Sequence, residues 1–368
     1  MITVLDSINQ TTMPYNEFIL YRNKHYRNEQ QVLILTGSEI AIPESKIPDN
    51  LEIHKCGKNP FRIRKVLNKI ICKAKNKNQE IVIHLHSIRG AFSTFMAMTG
   101  MGLRRSTIYS IHSTFPGFRF HNKVFCILDV LMTNKVTCVS NTSYAKFPAL
   151  IKKIKGSNMM ALQNGVNEER INNIIASVSK PKLENKPVEF IYVARIIPIK
   201  FHKFLVDVLA DISVNLNVKF VFVGIEDSNK FIRAYANEKR VGDFVEFTGL
   251  IPREQVYSRL FQSDVYISSS TLEGLPVSVL EGMYCGLPAI LSNIPQHKEI
   301  AQNCKCVSLL PFSTEEWVKK IEEFVKMSRE QRTQKGNECR EYVARYFSLK
   351  KMHERYDNIY NQIVLKFN

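Results

Sequence analysis

Several things are scarce in this sequence, and each shortage excludes something. Of 368 residues only one is tryptophan, and 34 acidic residues face 51 Lys+Arg. No apolar run approaches the roughly 20 residues of a membrane-spanning helix. The nearest candidate, residues 94–103, is short and broken by threonine and glycine. The first residues, Met1 to Asp6, read directly as a strand. No basic stretch precedes an apolar one there, so no signal peptide is expected. The eight cysteines (Cys56, Cys72, Cys126, Cys138, Cys285, Cys304, Cys306 and Cys339) form no Cys-x-x-Cys pair, and no histidines stand at zinc spacing. They are expected to be free thiols in a reducing cytosol.

What is present is basic and uneven. The net charge is +17, and residues 1–180 hold 25 Lys+Arg against 11 Asp+Glu. The excess sits in the first half and points to a polyanionic surface as partner, membrane or nucleic acid. From Phe61 to Lys77, apolar residues at Ile63, Val66, Leu67, Ile70, Ile71 and Ala74 make a helical stripe, with Lys and Arg on the remaining positions. The expectation is a helix with its stripe inward and its charges outward, loosely attracted to an anionic membrane surface. Aromatic stacking motifs, zinc ligands and a recognition helix are missing, so nucleic acid is not the expected partner.

The length suits two domains. Strand-like runs alternate with helix-like ones, which predicts parallel α/β layers. In the first half the strands read as 2–8, 31–36, 51–54, 81–86, 107–111, 136–139 and 159–162. In the second they read as 189–193, 219–223, 245–248, 265–268, 289–292 and 307–310. The polar, proline-containing stretch 177–187 has linker composition. The expected order is an N-terminal domain over 1–176, the linker, a C-terminal domain over 188–345, and a terminal helix over 346–368 packing back on the first domain. Two doubly wound halves would face each other across a cleft, and ligands in such sheets bind beyond the strand C-termini.

The sharpest signal lies at Ser268–Met283. A strand runs into a polar loop, Gly274 allows close backbone approach, Leu275 follows, and Pro276 suits a helix start. The start of that helix offers N–H groups and a positive dipole end to phosphate. Glu273 and Glu281 bracket the turn, one suited to the hydroxyls of a hexose and the other to those of a ribose. A second cluster, Val193 to Lys200, places Arg195 at a strand end and Lys200 at the next helix. Arginine there gives a bidentate fork to phosphate oxygens and lysine a point charge.

These motifs resemble glycosyltransferase family 4, retaining enzymes of GT-B fold, of the bacterial polysaccharide or O-antigen type. The family's Glu-x7-Glu motif matches Glu273 to Glu281. Its Gly-Arg-Leu-x-x-x-Lys-Gly motif matches Ala194 to Phe201, with both glycines replaced. Val221–Gly224, Phe247–Ile251 and Ser263–Tyr266 are also similar to family segments. In the first half the likeness rests on Ser110–Ser113, Cys138–Ser140 and Gln163–Val166. The resemblance implies two Rossmann-like domains and transfer of a hexose or N-acetylhexosamine from a nucleotide diphosphate sugar, by family habit a UDP-sugar. The implied acceptor is a growing, lipid-linked surface glycan such as O-antigen or capsule, at the inner face of the cytoplasmic membrane.

It also implies roles. Arg195 and Lys200 would offset charge on the departing diphosphate, with no metal or other cofactor, since the sequence has no Asp-x-Asp motif. Glu273 would position the hexose, and His112 would contact the donor sugar. Gly224, Leu250 and Ile251 would line the nucleotide. The loop after the first strand, residues 7–14, lacks the family's glycines, and the hydroxyls of Thr11 and Thr12 are the alternative there. His84 and His86 end another strand as candidate acceptor-side groups. Rival readings are another GT-B-like nucleotide-sugar enzyme, such as an epimerase or phosphorylase, a GT-B subunit without catalysis, and a basic nucleic-acid-binding protein.

Overall fold

The computed structural model describes all residues except 1, 9–14, 27–28, 38–47, 49–50, 180–185, 213–215, 227–230 and 365–368. Two compact units divide the chain: Met1–Asn164 with Leu349–Asn368, and Gly165–Ser348.

The first unit contains β1 (Ile2–Ile8), α1 (Tyr15–His25), β2 (Gln30–Leu35), β3 (Leu51–Lys55), α2 (Pro60–Asn76), β4 (Glu80–Leu85), α3 (Ile88–Met98), β5 (Thr107–Ile111), α4 (Phe120–Met132), β6 (Lys135–Cys138), α5 (Asn141–Ala145), α6 (Ala149–Lys155) and β7 (Met159–Ala161). Its strands form a parallel sheet in the order β3-β2-β1-β4-β5-β6-β7. Strands such as Val32–Leu35 and Ile81–Ile83 are apolar almost without interruption because both faces are covered. On one face Ile63, Leu67, Ile70 and Ala74 of α2 join the core with residues of α3, α4 and α6. The stripe expected over 61–77 therefore does point inward. The opposite face is closed by α1 and by the C-terminal helix, through Phe18, Ile19, Met352, Tyr356, Ile359 and Tyr360. Buried Arg22 locks these two helices together, donating to Glu29 at 2.6 Å and to Asp357 at 2.7 Å.

The second unit contains α7 (Glu168–Ile175), β8 (Val188–Val193), α8 (His202–Asp211), β9 (Val218–Val223), α9 (Phe231–Glu238), β10 (Val245–Gly249), α10 (Arg253–Gln262), β11 (Val265–Ser268), α11 (Val277–Tyr284), β12 (Ala289–Ser292), α12 (Pro295–Ala301), β13 (Val307–Leu310), α13 (Thr314–Lys326) and α14 (Arg329–Tyr346); α15 (Leu349–Ile363) is the helix that returns to the first unit. The sheet is again parallel, in the order β10-β9-β8-β11-β12-β13. All thirteen strands among the described residues lie within a residue of the sequence expectation at each end.

Two expectations need revision. The units divide at 164/165, ahead of the 177–187 stretch, because α7 packs on the second unit. Ile171 and Ile175 of α7 are buried, Arg170 pairs with Glu254 of α10 at 3.3 Å, and Asn172 accepts from Tyr284 of α11 at 3.2 Å. The cysteines are not all free thiols either. Cys306, at the start of β13, forms a disulfide with Cys339 of α14, and Cys304 Sγ lies 2.9 Å from Cys306 Sγ. The 33-residue separation hides this pairing in the sequence, and the packing of α14 on the unit creates it. None of the described helices is long and apolar enough to cross a membrane.

Candidate functional site

In a doubly wound sheet, ligands bind where the strand order reverses. The second unit reverses between β8 and β11. The segments leaving those strands carry Lys200 and Glu273, and their side chains meet: Lys200 Nζ lies 2.5 Å from Glu273 Oε1. Ser270 Oγ donates to the same carboxylate oxygen at 2.6 Å. Buried Tyr192 bonds Ser270 Oγ at 2.6 Å and the Lys200 carbonyl at 3.1 Å, while Ser269 Oγ donates to the carbonyls of Lys200 and Phe201. Thr271 N–H donates to the Ile199 carbonyl at 2.9 Å. The two loops are thus stitched to each other before any ligand arrives. Burial, then the nearby Glu273, pushes the Tyr192 hydroxyl well above its ordinary range, so it stays a neutral donor.

Arg195, two residues past the end of β8, has an exposed side chain and no ion pair among the described residues. Gly224 shows why β9 ends in glycine. Its φ is +154°, and a Cβ there would collide with the Ala194 carbonyl oxygen. Its N–H donates to the Gly249 carbonyl at 3.1 Å, which holds the β9 and β10 loops together. Leu250 follows with 80% of its surface exposed, and Ile251 is partly buried. Phe201 occupies the position of the second motif glycine and keeps a left-handed backbone, φ +51°, which glycine would favour. Its ring stacks on Phe204 and meets Phe312 edge-on, which offsets that strain.

Gly274, Leu275 and Pro276 lead into α11, whose first turn has no side-chain cap. Glu281, in the body of that helix, is almost fully buried and accepts from Arg253 of α10 and, at 2.9 Å, from Tyr257 Oη. Arg253 also donates to Tyr257 Oη at 3.0 Å. Burial works against the Arg253 charge, but Glu281 and Tyr257 together outweigh it and hold the guanidinium above its usual range. The two carboxylates of the motif are therefore unlike: Glu273 reaches a half-open site, and Glu281 is sealed by an arginine and a tyrosine. Sequence reasoning missed Arg253 and Tyr257. The only available signal was the position of Arg253 just after the Gly249–Pro252 turn.

The first unit reverses between β1 and β4. Here Asp6 Oδ1 accepts from His86 Nε2 at 2.9 Å, and His86 Nδ1 lies 3.2 Å from His112 Nε2. A carboxylate only accepts, so His86 carries its proton on Nε2. With that single proton on His86, its Nδ1 accepts from the Nε2–H of His112, and His112 is then protonated at Nε2. Burial, then His86, keeps His112 well below the ordinary histidine range and so uncharged. His84 is different. Its Nδ1 bonds Tyr360 and its Nε2 bonds Ser110, both at 2.7 Å, so neither nitrogen is left for an acceptor. It ties α15 to the sheet. Thr11 and Thr12 lie outside the described residues.

Residues 174–342 match the family described as Glycosyl transferases group 1. The chain is 25% identical over 277 residues to an uncharacterized glycosyltransferase of Haemophilus influenzae, covering 72% of this chain and 74% of that one. It is 28% identical over 208 residues to the capsular polysaccharide biosynthesis glycosyltransferase CapH of Staphylococcus aureus, covering 54% of this chain and 55% of the relative. The structure of Anabaena HepE in complex with UDP and glucose superposes with a TM-score of 0.75 at 16% identity, over 97% of this chain and 98% of that one. Two parallel Rossmann-like units give this chain the GT-B fold, and the match over residues 174–342 together with these relatives makes it similar to glycosyltransferases.

Proposed function

We propose that the enzyme transfers a hexose or N-acetylhexosamine from a UDP-sugar to a growing surface glycan, such as capsule or O-antigen, with retention of anomeric configuration and without a metal. The acceptor is lipid-linked and is met at the inner face of the cytoplasmic membrane. The observation that carries the reading is the prebuilt Lys200–Glu273 pair at the β8/β11 reversal; the exposed cation Arg195 directly follows β8, and the start of α11, which has no side-chain cap, follows Glu273 within a few residues.

As the glycosidic bond to the diphosphate breaks, positive charge grows on the sugar and negative charge on the departing phosphate. Arg195, Lys200 and the N-terminal turn of α11 offset the negative charge from fixed positions. Glu273 holds a sugar hydroxyl through the oxygen that Lys200 does not use. Because Lys200 and Ser270 already engage it, it acts as a positioning group rather than a nucleophile. Glu281 orders the ribose end by fixing Arg253 and Tyr257. Gly224, Leu250 and Ile251 border the base, and His112 is the first unit's candidate for contact with a sugar. Support for a UDP donor comes from HepE, crystallised with UDP and glucose, and support for a capsule-type product from the likeness to CapH.

The test is a thermal-shift panel of nucleotide sugars in the presence of a chelator, followed by NMR of the anomeric proton of the product. The reading predicts stabilisation by UDP-sugars and a product with the donor's configuration. An inverted product removes the retaining mechanism, and a panel in which no nucleotide sugar raises the melting temperature removes the donor.

A further inference from the structure

Between Ile81 and Asn167 the chain has ten Lys and Arg and a single acidic residue, Asp129. Asp129 is fully buried in α4, so the surface built by this stretch carries no carboxylate side chain. Three helices of the stretch, α3, α4 and α6, lie side by side with α2 on one face of the first sheet, and their inward residues form one core.

Their outward residues are unusual. Phe120, Val124 and Leu128 follow one another at successive turns of α4 and are 83%, 44% and 39% exposed. On neighbouring α6, Leu150 and Ile154 are one turn apart and are 68% and 59% exposed. A helix covering a sheet normally turns polar residues outward. Here α4 is apolar on both sides: Cys126 and Val130 face the core, and the Phe120–Leu128 row faces out. Basic side chains stand around the row, with Arg119, Lys146 and Lys153 exposed and Lys123 partly so.

We propose that the outer face of α4 and α6 is the surface by which this enzyme lies on a bilayer carrying anionic headgroups. The apolar rows enter the headgroup and upper acyl region, and the flanking lysines and arginines meet lipid phosphates. A nucleic acid fits this face poorly, because aliphatic Val124, Leu128, Leu150 and Ile154 offer no stacking ring. The helix singled out from sequence, α2, contributes less. Its apolar stripe is buried, and Lys69 and Lys73 are engaged by Glu52 at 3.1 and 2.9 Å. This inference deepens the proposed function by naming the surface that would bring the enzyme to a lipid-linked acceptor, and rests on that reading for the acceptor alone.

Vesicle flotation and one fluorescent reporter test it. Wild type should float with phosphatidylcholine vesicles containing phosphatidylglycerol, not with phosphatidylcholine alone, and the attraction should weaken with salt. The triple variant Phe120→Ser, Val124→Ser, Leu128→Ser should partition at least about a hundredfold less, a lower bound on the effect of keeping three such side chains out of an apolar phase. Its UDP-sugar hydrolysis should match wild type and it should remain folded, since these side chains belong neither to the buried core cluster nor to the donor site. The only native tryptophan, Trp317, is fully buried in the second unit. A Phe120→Trp variant should therefore report insertion by a blue shift and by quenching from brominated phosphatidylglycerol. Undiminished flotation of the triple variant, or fluorescence of the Phe120→Trp variant that is indifferent to vesicles, overturns the proposal. So does a concentration-dependent dimer that the triple variant abolishes, which would assign the face to a second copy. Donor hydrolysis without vesicle binding would sink this inference and spare the sugar chemistry; vesicle binding without any nucleotide-sugar response would do the reverse.

Discussion

The two units solve the same topological problem with opposite chemistry. Each has a sheet whose order reverses once, and each gathers functional side chains at the reversal. In the second unit these are full charges, Lys200 against Glu273, with Arg253 against Glu281 behind them. In the first unit they are a carboxylate and two histidines in a chain, Asp6, His86 and His112. Under the proposed function, fixed charges suit the end that would hold and release a diphosphate. An uncharged ring in a defined tautomer suits contact with sugar hydroxyls, where a permanent charge would be costly to bury. The contrast extends outward: the first unit has no surface carboxylate side chain from Ile81 to Asn164, whereas the second is nearly balanced.

That comparison can be broken in several places. The largest effect should follow Lys200→Ala, which removes the central cation of the charged reversal and leaves Glu273 with Ser270 alone. kcat/KM for sugar transfer should fall by about a thousandfold, the scale seen when one preorganised electrostatic group is lost. A loss under tenfold in steady-state assays would mean that Lys200 is structural. Next comes Glu281→Ala, which strands Arg253 beside Tyr257. It should cost about 3 kcal/mol in denaturant melts, while the double variant Glu281→Ala, Arg253→Met should recover most of that. No recovery would show that Glu281 acts on something other than this pair.

A smaller effect, and one specific to the first unit, concerns Asp129. Burial pushes its carboxyl up to about 9. Between an unfolded value near 3.8 and that folded value, folding takes up a proton, so its contribution to stability falls as pH rises through this window. Asp129→Asn should therefore melt close to wild type near pH 4 and at a higher temperature than wild type at pH 8. Equal melting temperatures at both pH values would place a partner on that carboxyl. The smallest expected change is for Asp6→Asn. Its amide can donate to His86 as well as accept, so the tautomer of His112 is no longer imposed. Ring nitrogen NMR should show His112 protonated at Nε2 in wild type and mixed in the variant, with kcat down by about tenfold. A wild-type His112 protonated at Nδ1 would reverse the chain of donors drawn here.

Much of the molecule was legible in the sequence because the determinants are local. Buried parallel strands are continuous apolar runs, and Gly274 and Pro276 punctuate a strand-to-helix turn within a few residues. Arg195 and Lys200 could be placed at a sheet edge because they directly follow a strand. What stayed hidden is what the tertiary fold alone brings together. Arg253 meets Glu281 across 28 positions, Asp6 meets His86 across 80, and His84 meets Tyr360 across 276. A composition change at 177–187 suggested a boundary, but α7 joins the second unit through buried Ile171 and Ile175, which no local polarity reveals. The exposed row on α4 was masked too, because an apolar helix reads the same whether its second face meets core or solvent.

The central claim is that Arg195 and Lys200 grip a diphosphate at the β8/β11 reversal without help from a metal. Isothermal titration calorimetry of UDP into the chelator-treated protein, wild type against the double variant Arg195→Ala, Lys200→Ala, tests it most directly. Micromolar-range binding by wild type that weakens about a hundredfold or more in the double variant is the predicted result. Equal affinity in both proteins, or wild-type binding that appears only when a divalent cation is restored, would contradict it.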